Sequence, residues 1–419
     1  MGGGADQPKT CAPDRSRGSA AHPSPRCPRR RGGLRWVRVP SRRPGRPPTR
    51  RPPVSTVLSD ADRVGLARAL ALAGGVQGAT APNPAVGCVI TDASGEVVGE
   101  GVTRPPGGPH AEVVALTAAG SRAAGGTAYV TLEPCDHHGR TPPCSSALLA
   151  AGVARVVVAH PDPHELAAGG TQRLRAGGVR VDVVTGTWRA AAAAHLEGFL
   201  HRLRHDRPHV TLKLAQTADG RTVPPGPSRW ITGPGARRAV HRWRREVDGV
   251  LVGSGTVVAD DPGLDVRDVP LGPRPQPRPI VFDARLRTPP EARVVGRGAL
   301  VVTAAGASET DRQALRRAGA EVVAVAAGDG GGVDLRAALA RVAAHGVDRV
   351  LAEPGLGLAA ALLRDHLVDR LVRHVAPALG DGPPALAAPV PDPEAWRLER
   401  VGGAGPDLVL QHVRDPEFR

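Results

Sequence analysis

Aromatic residues make up only 2% of this 419-residue chain: three Phe, five Trp and one Tyr. Stacking platforms for nucleobases are therefore scarce, which weighs against a single-strand nucleic-acid binder. Five cysteines over this length do not build a disulfide framework. No apolar run long enough for a signal-peptide core or a membrane span appears in the N-terminal stretch, so the expected setting is the cytoplasm, with no membrane partner. Lysine is nearly missing as well. Lys9 sits near the N-terminus, and the only other lysine is Lys213, in a chain where arginine fills almost every cationic position. Lysine titrates and arginine effectively does not, so Lys213 is a candidate for a place that requires an amine, against the alternative that chance left one.

Arginine, glycine and proline are abundant, and the net charge is +15. Its location matters more than its size. Residues 1–53 hold 14 of the 55 Lys and Arg against only Asp6 and Asp14, so +12 of the charge lies there. That stretch is Pro-, Arg- and Gly-rich with almost no apolar periodicity, and is expected to be a disordered tail. A transit peptide and translated upstream sequence without a role are both open for it. The remaining length holds two domains of roughly 150 to 200 residues each.

The most informative feature is His110-Ala-Glu112, followed by Glu133-Pro-Cys135 and, after eight intervening residues, Cys144. A catalytic zinc takes three protein ligands and keeps one open position for water, and His110, Cys135 and Cys144 supply such a set. Glu112, two residues from the histidine, is placed to carry protons, as in the zinc deaminases of nucleobases. The competing reading is a closed structural zinc, for which His137 and His138 are rival fourth ligands. Thr127–Leu132 reads as a buried strand ending at the first cysteine, while His110 and Cys144 each open a helix.

Around the motif, Ser59-Asp60 caps a helix through Ala73, and residues 85–103 read as a hairpin. Strands at 127–132, 154–159 and 179–184 alternate with helices at 143–151 and 165–176, and an Ala-rich helix from 188 to 204 closes a first domain over 56–205. A second alternation over 207–419 begins with the strand at 209–214. Helices at 234–247, near 255, at 310–319 and at 334–345 separate strands at 249, 280, 299, 321 and 348. This is the pattern of an open, mostly parallel sheet. The last strand runs into Gly355-Leu-Gly357-Leu-Ala-Ala360, which is either a phosphate-binding turn or a plain glycine turn.

Pro82-Asn83-Pro-Ala-Val-Gly-Cys88, Pro109-His-Ala-Glu112 and Thr131-Leu-Glu-Pro-Cys-Asp-His-His-Gly-Arg-Thr-Pro-Pro-Cys144 together resemble the bifunctional deaminase/reductase family of riboflavin biosynthesis. Leu212-Lys-Leu-Ala215, Ser228-Arg-Trp-Ile-Thr232, the run from Gly255 to Leu264 and Val375-Ala-Pro377 resemble its reductase half. The likeness covers residue 56 to the C-terminus. It implies a cytidine-deaminase-like α/β/α sandwich followed by a dihydrofolate-reductase-like α/β domain, with Zn2+ and NADPH as cofactors. The implied substrate is a phosphoribosylated pyrimidine, deaminated first and then reduced from ribosyl to ribityl. The resemblance implies that Asn83, His137 and Arg140 hold the substrate of the first step. It places NADPH against Ala215, Trp230, Thr256, Asp260, Gly355, Leu356, Gly357, Leu358, Ala359, Ala360 and Ala361. The second substrate would meet Ser228, Arg244, Leu264, Arg267 and Glu353, with Lys213 assisting ring opening and Asp260 nearby.

Three positions depart from the family pattern: Thr103 and Asp136 in the first half, and Pro354, which removes a backbone donor, in the second. Two rival readings stand beside the resemblance. One is a tRNA or nucleoside deaminase with an unrelated second domain, and the other is a non-catalytic zinc protein whose tail binds nucleic acid. The first conflicts with the wide cysteine spacing, and the second leaves Glu112 without a task. Homo-oligomerisation is left open.

Overall fold

The Arg- and Pro-rich N-terminal stretch contains a short strand, β1 (Arg35–Arg38), which pairs antiparallel with residues 400–403. The expectation of a tail without structure fails for these four residues because Trp36 supplies apolar surface. Its ring stacks on Trp243 with centroids 6.4 Å apart. The computed structural model describes residues 35–39, 58–137, 142–164, 167–223, 230–272, 274–328, 330–386 and 389–415. Arg140, Ser228 and His138 lie outside the described residues, as does most of the stretch read as a tail.

Helix α1 (Asp60–Gly75) begins with a capping box in which the Asp62 N–H donates to the Ser59 hydroxyl and the Ser59 N–H donates to the Asp62 carboxylate. Strands β2 (Gly87–Thr91) and β3 (Val97–Val102) form the expected hairpin, and α2 (Ala111–Ala119) follows. Then come β4 (Thr127–Val130), α3 (Cys144–Ala150), β5 (Arg155–Val158), α4 (Gly170–Ala176), β6 (Arg180–Val183) and α5 (Gly186–His195). The sheet order is β3-β2-β4-β5-β6, with the hairpin antiparallel and the last three strands parallel. Alternation along each strand divides its side chains between two faces. Cys88, Ile90, Val130 and Val156 pack with residues of α2, α3 and α4, whereas Val89, Tyr129 and Val157 pack with α1 and α5. The product is an α/β/α sandwich.

The helix expected from 188 to 204 is broken at Leu196 (φ −91°, ψ 4°), and α6 (Glu197–His205) continues from there. Contacts from the second half explain the break. Glu197 takes two hydrogen bonds from Arg370, at 2.7 and 2.9 Å, and a Cβ on Gly198 would stand 2.4 Å from Arg349 Cγ.

The second sheet starts with β7 (His209–Thr217). The chain continues through β8 (Arg221–Val223), a strand of a separate two-stranded sheet, then α7 (Pro234–Arg244), β9 (Gly249–Gly253), α8 (Ser254–Asp260), β10 (Arg278–Phe282), β11 (Leu300–Ala304), α9 (Glu309–Arg317) and β12 (Glu321–Val325). After α10 (Leu335–Ala344) and β13 (Arg349–Ala352), α11 (Leu356–Arg364) leads to β14 (Arg370–Ala376), β15 (Asp381–Pro384), β16 (Trp396–Ala404) and β17 (Asp407–Arg414). Seven strands in the order β14-β7-β13-β9-β10-β11-β12 are parallel, and β17, β16 and β1 extend the β14 edge antiparallel. The expectation of a mostly parallel sheet stopped at residue 352 and did not include this antiparallel edge. Among the described residues no helix is long and apolar enough to cross a membrane.

Candidate active site

Three different local rules bring the zinc candidates together. His110 is the N-cap of α2, and its side chain makes no capping bond, which leaves the imidazole free to ligate. Cys135 follows the end of β4. Cys144 opens α3 directly after Pro143, whose ring suits a helix start. His110 Nδ1 stands 3.3 Å from Cys144 Sγ and 3.6 Å from Cys135 Sγ, and one ligand atom from each residue lies within 4.8 Å of the others. Donors around a tetrahedral zinc sit roughly 3.5 Å apart at ordinary Zn–N and Zn–S bond lengths, so the geometry fits that ion. Among the described residues no fourth ligand joins the set, and His137 lies exposed at the rim.

The backbone around Cys135 is tightly held. Ser145 N–H donates to the Cys135 carbonyl at 3.2 Å, and its hydroxyl donates to Asp136 Oδ1 at 2.6 Å. Asp136, one of the three departures, therefore has a structural partner. The other motif carboxylate, Glu133, accepts from the Thr171 backbone and hydroxyl and from the Asp162 backbone, which ties the 160–171 loop to the site.

Hydrogen bonding from Cys144, and then from His110, holds the Cys135 thiol down at about 4, while its contact with Cys135, together with burial, drives Cys144 up. Metal ligation takes the thiolate form, so cation binding here would release thiol protons. Glu112, on the first turn of α2, is only 4% exposed, and burial pushes its carboxyl up to about 7. That places it where a group can both accept and return a proton near neutrality.

A cavity of about 310 Å³ opens over this cluster, lined by Asn83, Thr103, His110, Glu112, Cys135 and His137. Asp162, His164 and Arg202 line it as well. Sequence reasoning did not single out those three. They come from a loop and from the helix after the motif, and nothing in the local pattern marks them.

The second half centres on an ion pair. Arg244 Nε and Nη2 donate to Glu353 Oε1 and Oε2 at 2.7 and 3.1 Å, and Nη1 donates to the Asp265 carbonyl at 3.0 Å. Of the five arginines on the 237–245 helix, Arg244 is the buried one. Although burial pushes Glu353 up, Arg244 and Lys213 hold it down at about 2. Lys213 projects from β7; burial lowers its pKa, Glu353 opposes that and Arg244 adds to it. The carboxylate that acts on Lys213 is thus Glu353, whereas Asp260 stands exposed at the end of α8.

A larger cavity of about 1030 Å³ lies beyond the carboxyl ends of β9, β10 and β12. Gly253, Gly255, Gly357, Leu358 and Ala361 line it beside Arg285 and Arg287. A Cβ on Gly253 would meet Leu358 Cδ2 at 3.4 Å and one on Gly355 would meet Thr256 Oγ1 at 3.5 Å, while Gly357 faces open space. The Asp283 Oδ1 atom is buried in this wall without a hydrogen-bond partner among the described residues. A cavity of this size and polarity accommodates a dinucleotide.

Not all of the expected 355–361 cofactor run faces the cavity, because a helix presents only one side. Ala359 packs in the core, and Ala360 lines a separate space of about 160 Å³. Leu264 is likewise a core side chain, with a left-handed φ of 51°. Only its backbone is available to a ligand. Arg267 pairs with Asp265 at 2.8 Å, and the exposed Trp230 ring lies 4.9 Å from the Arg237 guanidinium. Ala215 sits opposite His374 in the β7–β14 register.

Residues 60–160 match the family described as the cytidine and deoxycytidylate deaminase zinc-binding region, and residues 208–410 match the RibD C-terminal domain. Riboflavin biosynthesis protein RibD of Escherichia coli is 40% identical over 370 residues, covering 84% of this chain and 99% of that protein. The Mycobacterium tuberculosis protein of the same name is 41% identical over 348 residues, covering 81% and 93%. Among solved structures, Acinetobacter baumannii RibD superposes with a TM-score of 0.75 at 36% identity over 84% of this chain and 99% of that one. The diaminohydroxyphosphoribosylaminopyrimidine deaminase/5-amino-6-(5-phosphoribosylamino)uracil reductase of Thermotoga maritima gives 0.73 at 28% identity, with the same coverage. With a deaminase zinc cluster in one half, a reductase fold in the other and relatives matched almost end to end, this chain belongs to the RibD family of riboflavin-biosynthesis proteins.

Proposed function

We propose that the chain carries out two successive steps on one phosphoribosylated pyrimidine. The first is hydrolytic deamination of 2,5-diamino-6-(5-phosphoribosylamino)pyrimidin-4(3H)-one, and the second is NADPH-dependent reduction of the ribosyl side chain to ribityl. The observation that carries the reading is the convergence of His110, Cys135 and Cys144 beside buried Glu112 at a substrate-sized cavity. Zinc, when held by these three residues, supplies a Lewis acid that lowers the pKa of water from 15.7 to about 7. Glu112 takes the proton from the attacking water at its carboxylate and returns it to the exocyclic nitrogen, which leaves as ammonia. Asn83 and His137 line the cavity in positions to orient the ring.

In the second half, NADPH would lie in the large cavity against Gly253, Gly357, Leu358 and Ala361, and it brings the hydride. The Lys213 ammonium, under the opposing charges of Glu353 and Arg244, donates a proton to the ribosyl ring oxygen as the ring opens and is left as the neutral amine. We place the enzyme in the cytoplasm, in keeping with free Cys88, Cys135 and Cys144.

The test offers the diaminopyrimidine ribotide to zinc-loaded protein with and without NADPH. Ammonia is released in both cases, and ribityl product forms only with NADPH. Zinc-bound protein that releases no ammonia overturns the first half.

A further inference from the structure

Arg202 lines the cavity that holds His110, Glu112 and Cys135, yet it belongs to α6, far along the chain from the zinc motif. Its Nε donates to Asp348 Oδ1 at 2.5 Å, and its Nη2 donates to the Pro82 carbonyl at 3.0 Å. Its Cζ lies 5.8 Å from the Phe199 ring centroid. Nη1 has no hydrogen-bond partner among the described residues, and the side chain retains 25% exposure.

Two carboxylates of the cavity, Glu133 and Asp162, are engaged by backbone and hydroxyl donors. Glu133 is held by Thr171 and the Asp162 backbone, and Asp162 accepts from His164 N–H at 2.9 Å. Among the described lining residues Arg202 is the one Lys or Arg. A planar guanidinium with a free edge suits a phosphate ester.

We propose that Arg202 recognises the 5′-phosphate of the substrate in the deamination site, and that Asp348, from the reductase half, is the positioning residue that holds it there. This rests on the two-step reading above and adds a named phosphate contact to it. Asp348 is a rigid anchor. Its side chain is 6% exposed, its backbone N–H donates to Asp248 Oδ2 at 2.9 Å, and its carbonyl accepts from His209 N–H at 2.8 Å. The bond to the Pro82 carbonyl fixes the guanidinium plane from a second side. The reductase sheet thereby completes the deaminase pocket.

The experiment compares steady-state deamination of the phosphorylated ribotide and of its dephosphorylated riboside by the full-length, zinc-loaded protein. Arg202→Ala is expected to raise KM for the ribotide about ten- to a hundredfold while leaving kcat and the riboside KM within about twofold. Asp348→Asn shifts the ribotide KM in the same direction by a smaller factor and spares the riboside. Equal effects on both substrates make the pair a purely structural bridge and overturn the proposal. Should the Ala variant fail to fold, Arg202→Lys and Asp348→Asn carry the same comparison. A wild-type protein that releases no ammonia from the ribotide removes the two-step reading and this role together. Ammonia release by wild type with no ribotide-selective loss in the variants removes this role alone.

Discussion

Glu112 is the residue whose chemistry depends most on where the fold puts it. A carboxylate at the N-terminus of a helix is ordinarily stabilised in its charged form, yet here burial outweighs that and raises its pKa to about 7. Glu112→Gln keeps the shape of the site, so zinc content measured by atomic absorption is expected to stay near one per chain. Ammonia release falls roughly 10²- to 10⁴-fold, and NADPH oxidation on the deaminated substrate is unchanged. Loss of zinc in this variant would make Glu112 a structural residue instead. In the other half, Glu353→Gln leaves Arg244 buried without its counter-charge. The expected cost is about 3 kcal/mol or more of stability, read from denaturant unfolding, together with loss of reduction. The sign for Lys213 follows: without Glu353 the charged amine loses its stabilising neighbour, so its pKa drops further.

At the scale of elements, close approaches fix the zinc cluster. A Cβ on Gly101 of β3 would stand 2.0 Å from the Ala111 carbonyl, so α2 sits directly on the strand and carries His110 and Glu112 at a set height. A Cβ on Gly170, at the start of α4, would stand 1.8 Å from the Pro134 carbonyl, next to Cys135. Gly170→Ala must therefore push the Cys135 segment away. The variant is expected to bind zinc less tightly, seen as faster loss to a chelator, and to lose deamination more than reduction. Most elements of the first half were legible because strand alternation, the Ser59 cap and the proline before Cys144 are local signals. The break at Leu196 was not. An Ala-rich run has no reason of its own to stop there, and the contacts of Glu197 and Gly198 with residues 348, 349 and 370 impose it.

For the molecule as a whole, acid is the weak side. Burial holds His209 down at about 4, and His201 and His374 at about 3. Such groups contribute stability that is fully present above their ordinary pKa of about 6.5 and is lost as pH falls toward their folded values. Asp369 and Glu197, held below the usual carboxylate range by their Arg and His partners despite burial, act in the same direction at lower pH. Asp248, pushed up to about 6 by burial beside Asp348, works the other way between its ordinary value and 6. The net expectation is a melting temperature that falls as pH drops from 7 to 4.5, with a shallower slope in His209→Phe. A flat profile would contradict the burial of these histidines.

The amino-acid sequence by itself determined the chemistry of the first site, because ligand types, their spacing and the neighbouring Glu112 are written contiguously and read through short-range rules. It also marked Lys213 by leaving almost no other lysine. Only the tertiary structure decided that the charge of Glu353 is felt at Lys213 while Asp260 stays exposed, that one face of α11 meets the large cavity, and that Arg202 reaches the cavity over the zinc candidates on an anchor from the other half. Each of those depends on groups distant in sequence meeting across packed elements. The strength and direction of a charge's effect are set by burial and by its neighbours in space.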